Sequence, residues 1–218
     1  MSLALLFYDE LKGFYKSKAM ISLWMLFIIF TIVGYFGQKL LGEGLLPGTT
    51  IASILISSLG GVITSIVITV SIIHEKEQKV YDLFMIRPVK RWYFLVAKFF
   101  SVYICVIVAV IISLLVGVLI DYIELGMILP GVTNDLISTT SIMAVACGFG
   151  IFIGVLSPSI LLAVLIALFF GQFVNLLPVI LISFIEFDNM LLVASIFAIA
   201  IAAILMVISM FVFERKQF

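Results

Sequence analysis

The chain is 218 residues long, 65% hydrophobic and only 11% charged, with a formal net charge of +0. Soluble domains run at roughly 45–50% apolar and about 25% charged, so this composition excludes a soluble globular enzyme, a disordered or collagen-like chain and a disulfide framework. The balanced charge points to no nucleic-acid partner. The expected class is an all-α integral membrane protein.

The first predicted element covers residues 2–18. Leu3, Phe7, Leu11 and Phe14 share one helical face, with Asp9, Lys12 and Lys16 opposite. This pattern suits an amphipathic helix lying in the membrane interface and leading into the first span. The plainer alternative is an extension of that span. Asp9, Glu10 and three lysines, with no small-residue cleavage site after the apolar run, argue against a secretory signal.

A hydrocarbon core about 30 Å thick needs roughly 20 apolar residues of helix. Six runs qualify: 19–36, 50–73, 94–120, 136–157, 159–182 and 190–213. Backbone groups in lipid must be satisfied within their own segment, which makes these runs helices. None carries an acidic residue, and the one base inside them, Lys98, lies five positions from a polar end, where it is expected to snorkel to the headgroups. The longest connection, residues 74–93, is too short for a soluble catalytic domain, so residues 1–218 read as one transmembrane domain. With the N-terminus inside, eleven of the twelve bases fall on the inner side and only Lys39 on the outer. The zero net charge is thus a cancellation across the bilayer, and both termini are expected in the cytoplasm.

Several kinds of chemistry lack their residues. His74 is the only histidine, so no histidine-based metal cluster is expected. Cys105 and Cys147 fall mid-span and act as small apolar residues. No Gly-x-x-x-x-Gly-Lys-Ser/Thr loop occurs. No carboxylate sits at membrane depth, which counts against a proton- or sodium-driven carrier. No catalytic residue is assigned, and the driving energy is expected from outside the chain.

One polar connection reads as a motif: HEKEQKVYDLFMIRPVKRWYFLVAK, residues 74–98. Glu75 and Lys79 are four apart in the order that favours a helix. Val80, Leu83 and Phe84 form an apolar patch beside Asp82, and Pro88 disfavours helix at Arg87. A short amphipathic helix over 75–87 follows, with Trp92 and Tyr93 at an interfacial aromatic belt. The bland alternative is a solvated connector of the positive-inside kind.

This segment resembles the membrane subunits of type-2 ATP-binding cassette transporters. Their signature has an acidic pair, then Gly-Thr, two leucines, a proline with an apolar residue and Arg, and a Lys opening the third span. Glu75, Glu77, Leu83, Pro88, Val89, Arg91 and Lys98 match it; Lys79-Val80 stands for the Gly-Thr and Phe84 for the second leucine. The resemblance, extended by six spans and an N-terminal amphipathic helix, covers essentially the whole chain. It implies that 75–87 is a coupling helix docking on a separate ATPase through Glu75, Glu77, Asp82, Leu83, Phe84, Arg87 and Pro88. It further implies two ATPase copies holding ATP and Mg, a second permease chain (the same or different), membrane lipids as surroundings, and export of a lipid, peptide or other amphiphile from the cell membrane. This chain itself binds no cofactor or metal in that scheme. A self-contained carrier or channel, or a non-transporting assembly factor, is the rival reading.

Two sets of small or polar residues complete the expectations. Gly150 and Gly154 form a Gly-x-x-x-Gly pair suited to close helix packing, within the chain or between permeases. Gln172 and Asn175 share a face in the outer half of the fifth span, before Pro178. They read either as an interhelical hydrogen-bonding pair or as lining of a translocation path, where by resemblance a short turn re-enters the outer leaflet around 176–189.

Overall fold

The computed structural model describes residues 3–41, 47–78, 92–126, 131–183 and 190–215. Its helices are α1 (Leu3–Tyr15), α2 (Lys18–Leu41), α3 (Gly48–Leu55), α4 (Gly61–Glu77), α5 (Trp92–Leu125), α6 (Val132–Leu156), α7 (Ile160–Ser183) and α8 (Met190–Arg215). A π-helical turn, Ile56–Gly60, joins α3 to α4 without a break, so Gly48–Glu77 forms one continuous helical unit of 30 residues. No strand occurs among the described residues.

Five of these units are long and apolar enough to cross a membrane: α2, the α3–α4 unit, α5, α6 and α8. α7 is also apolar, and its described side chains cover Ile160–Leu176. The predicted helix over 75–87 extends beyond the described residues after Gln78, and the turn expected around 176–189 is described only as the end of α7.

The three central elements are the α3–α4 unit, α5 and α6. α6 is the most enclosed, with 78% of its apolar window buried against 28% for α2 and 22% for α8. Enclosure follows from small residues. A Cβ on Gly150 would stand 2.7 Å from the carbonyl oxygen of Ser65, and one on Gly154 would meet the Ile72 side chain at 3.0 Å. Only glycine lets α6 approach α4 this closely. The approach also lets the Thr69 hydroxyl donate to the Gly150 carbonyl at 2.8 Å. Gly148 opens the other side of α6 to Ala202 of α8.

The π-turn shifts the hydrogen-bond register at mid-span, which exposes carbonyls that lipid cannot satisfy. Serine hydroxyls meet this need. Ser57 donates to the Ser53 carbonyl at 2.6 Å and Ser58 to the Ile54 carbonyl at 2.7 Å.

α2 is pinned to α5 along its length. Trp24 Nε1 donates to the Cys105 carbonyl at 3.2 Å, and the Thr31 and Ser113 hydroxyls lie 2.6 Å apart. At its start, the Ser17 hydroxyl accepts the Met20 amide at 3.1 Å, a side-chain cap on a backbone donor that the helix leaves free.

α1 is helical over the predicted region, but its apolar side faces protein. Leu6 and Phe14 are buried, and Phe7 and Leu11 pack against the same core as Phe94, Leu95 and Phe99 of α5. The Ser101 hydroxyl donates to the Phe7 carbonyl at 3.2 Å. Periodicity identifies an apolar face without saying what covers it, and here α5 covers it.

Candidate functional site

Sequence reasoning singled out the connection between α4 and α5. Of its residues, Asp82, Leu83, Phe84, Arg87 and Pro88 lie outside the described residues. The two ends of the connection are described, and with α1 they build a charged junction.

Lys98 is the hub. Its side chain is wholly buried, and its ammonium forms an ion pair with Glu75 across 23 positions of sequence. It also sits over two aromatic faces, 5.4 Å from the Phe14 ring centre and 5.1 Å from that of Phe94, within cation–π range. The expected snorkelling of Lys98 is therefore corrected. A lysine reaches for water when lipid is the alternative, whereas here a carboxylate and two ring faces from three helices make the interior the better-solvated place.

Glu75, near the C-terminus of α4, is partly exposed and also accepts a bond from the Ser71 hydroxyl at 3.4 Å. Glu77 is exposed at the end of the same helix. Lys76 points the other way. Its ammonium donates to the carbonyls of Gly154 and Val155, the latter at 2.9 Å, at the C-terminus of α6. There it satisfies helix-end carbonyls and faces the negative end of the helix dipole.

Sequence reasoning passed over Glu10. It stands half-buried on the inner side of α1, at a cleft of about 350 Å³ between Asp9, Glu10 and Gly13 on α1 and Ser71 and Glu75 on α4, with Phe14 behind. Burial raises its carboxyl from 4.5 to about 7; the positive charge of Lys98 opposes the rise, and the negative charges of Glu75 and Asp9 add to it. Its spacing could have flagged it. Glu10 falls between Leu6 and Phe14 at four-residue intervals, on the apolar stripe rather than opposite it.

The residues read as membrane-depth candidates separate. Gln172 is half-buried on α7. Asn175 is 3% exposed, and neither polar atom of its carboxamide has a hydrogen-bond partner among the described residues. It lies directly against Gly61, where α4 leaves the π-turn, with Ala146 of α6 beside that glycine. The structure thus does not pair Gln172 with Asn175. Gly150 and Gly154 both face α4 of the same chain.

No group of three or more potential metal-ligating side chains occurs among the described residues. The arrangement is an all-helical protein of membrane-spanning composition whose charge is concentrated at helix ends. No protein-family model matches the chain, and no curated protein matches it.

Proposed function

We propose that the chain is the membrane-spanning permease subunit of a type-2 ATP-binding cassette transporter, exporting a lipid, peptide or other amphiphile. α7 makes the sixth crossing, both termini face the cytoplasm, and the chain sits in the cell membrane. Two ATPase subunits, carrying ATP and Mg, and a second permease chain complete the assembly. Residues 75–87 act as the coupling helix, with Glu75, Glu77, Asp82, Leu83, Phe84, Arg87 and Pro88 as the docking surface. Gln172 and Asn175 contribute polar groups to the translocation path.

The observation that carries this reading is the gathering of three elements at one end of the molecule. α1, the acidic end of α4 and the Lys98 end of α5 meet there, on both sides of the polar connection. A push on that connection is transmitted to α4 through Glu75 and to α5 through Lys98, which are already locked together. The opposite end of α5, among the described residues, bears Lys39 against Asp121, Glu124 and Asp135. That acidic excess favours an external location, with the α1 end inside.

The test is purification of the tagged chain from its native membrane and identification of what accompanies it. An ATPase subunit in the complex is the expected result, and its absence refutes the proposal. Leu83→Asp with Phe84→Asp is expected to abolish stimulation of ATP hydrolysis by the assembled complex. Hydrolysis unchanged in that variant reduces the connection to a tether.

A further inference from the structure

We infer that α1 is a proton-operated latch, docked on α5 across a cleft from α4 when Glu10 is protonated and released when it ionises. The inference does not depend on the permease reading, because it concerns only the described junction.

The groups facing Glu10 can be taken helix by helix. α5 presents Lys98, buried and ion-paired. α4 presents Glu75, with the uncharged Ser71 beside it. α1 itself adds Asp9, exposed at the rim of the cleft, while Lys12 lies two residues on, roughly 200° around the helix. α2 contributes no charged side chain to the cleft lining. Among the described residues the junction therefore holds one cation and two inward carboxylates. Lys98 and Glu75 already balance each other. α1 docked with a neutral Glu10 leaves that balance intact, and α1 docked with an ionised Glu10 buries a second carboxylate against Glu75.

The remaining contacts of α1 allow such release. Among the described residues it is held on α5 by the Leu6–Phe14 apolar face, the Lys98 ammonium over the Phe14 ring and one hydrogen bond from Ser101 to the Phe7 carbonyl, with Tyr15 set edge-on against Trp24 of α2. The short link through Ser17 joins α1 to α2 covalently whatever the docking state.

The sign follows from linkage. Docking raises the carboxyl of Glu10 above its ordinary value of 4.5 to about 7. The docked state is the better proton binder, so its advantage is fully present below the ordinary value and lost as pH rises through about 7. Between pH 6 and pH 8 the docking equilibrium falls roughly tenfold.

A spin label on Gly13→Cys reads this directly. Gly13 lines the cleft, a Cβ there meets nothing within 4 Å, and the native Cys105 and Cys147 are buried. The full chain is placed in phosphatidylcholine nanodiscs and the label's mobility recorded from pH 5 to 9, with Lys12→Cys as a second label site. An immobilised spectrum at low pH that gains a mobile component, with its midpoint near 7, is expected. Glu10→Gln is expected to stay immobilised throughout. Glu75→Gln is expected to shift the midpoint to lower pH, because Lys98 then faces Glu10 alone. His74 precedes Glu75 at the end of α4 but does not line the cleft, so His74→Gln serves as a control that leaves the transition in place. Mobility that is flat across the range at both label sites overturns the inference. So does a transition that survives Glu10→Gln, one that disappears in His74→Gln, or a midpoint unmoved in Glu75→Gln.

Discussion

The two ends of α5 each hold a buried charge, and they hold it differently. At one end Asp121, only 3% exposed, accepts the backbone amides of Gly48 at 2.6 Å and Thr49 at 3.2 Å. Both amides belong to the first turn of α3, where they have no helical partner and where the helix dipole favours an anion. Gly117 brings the backbones together, since a Cβ there would stand 3.1 Å from the Gly48 carbonyl oxygen and from Thr49 backbone atoms. At the other end Lys98 is held by side chains, two of them aromatic rings and one the carboxylate of Glu75. Backbone donors neither titrate nor change rotamer. The Asp121 end is therefore a fixed joint, and the Lys98 end can be altered by one rotamer or by the charge of Glu10 beside it. A charge buried against backbone gives rigidity, while a charge buried against side chains gives a junction that responds to its surroundings.

Four single variants and one double variant sharpen this contrast, each read as unfolding stability in mild detergent titrated with SDS. The largest effect is expected from Lys98→Met, which removes the buried cation of the Glu75 ion pair and costs about 3 kcal/mol. The double variant Lys98→Met/Glu75→Leu is expected to recover most of that loss; a double variant as unstable as the single one contradicts a charge-pairing role. Asp121→Ala strands the Gly48 and Thr49 amides, at a cost of about 2 kcal/mol. Gly117→Ala is next, about 1.5 kcal/mol, because backbone atoms must separate to admit a methyl group; a neutral result would show that the fixed joint yields. The smallest effect is Glu10→Gln at pH 6, within about 0.5 kcal/mol of the parent, since the amide mimics the protonated carboxyl.

Much of the architecture was legible before any coordinates. Apolar run length located the five helices long and apolar enough to cross a membrane within a few residues, because the bilayer imposes a length that composition records directly. The amphipathic pattern of α1 was legible too, but its covering surface was not. Hydrophobicity gives Phe7, Leu11 and Phe14 a common face, and α5 and lipid are equally acceptable to it. The partner of Lys98 was hidden for a related reason. Distance to a polar segment end predicts whether a lysine can reach water, not whether Glu75 on another helix offers something better. The π-turn left only a cluster of small residues, Ser57, Ser58, Gly60 and Gly61, in the sequence, because a one-residue change of hydrogen-bond register has no signature at a period of 3.6. Asp121 falls just past the predicted run 94–120, and its role depends on the start of a helix 73 positions earlier, which no local pattern records.

The length of α5 carries a consequence of its own. At 34 residues it is a rod of about 51 Å, well beyond a hydrocarbon core of about 30 Å. Lys98 and Asp121 are separated along it by roughly 35 Å. With the Asp121 joint acting as a fulcrum, a tilt of about 5° swings the Lys98 end through about 3 Å by the geometry of a rigid helix. Such a swing is comparable to the length of a hydrogen bond. A modest lean of one helix is thus enough to make or break the contacts that hold the amphipathic N-terminal helix.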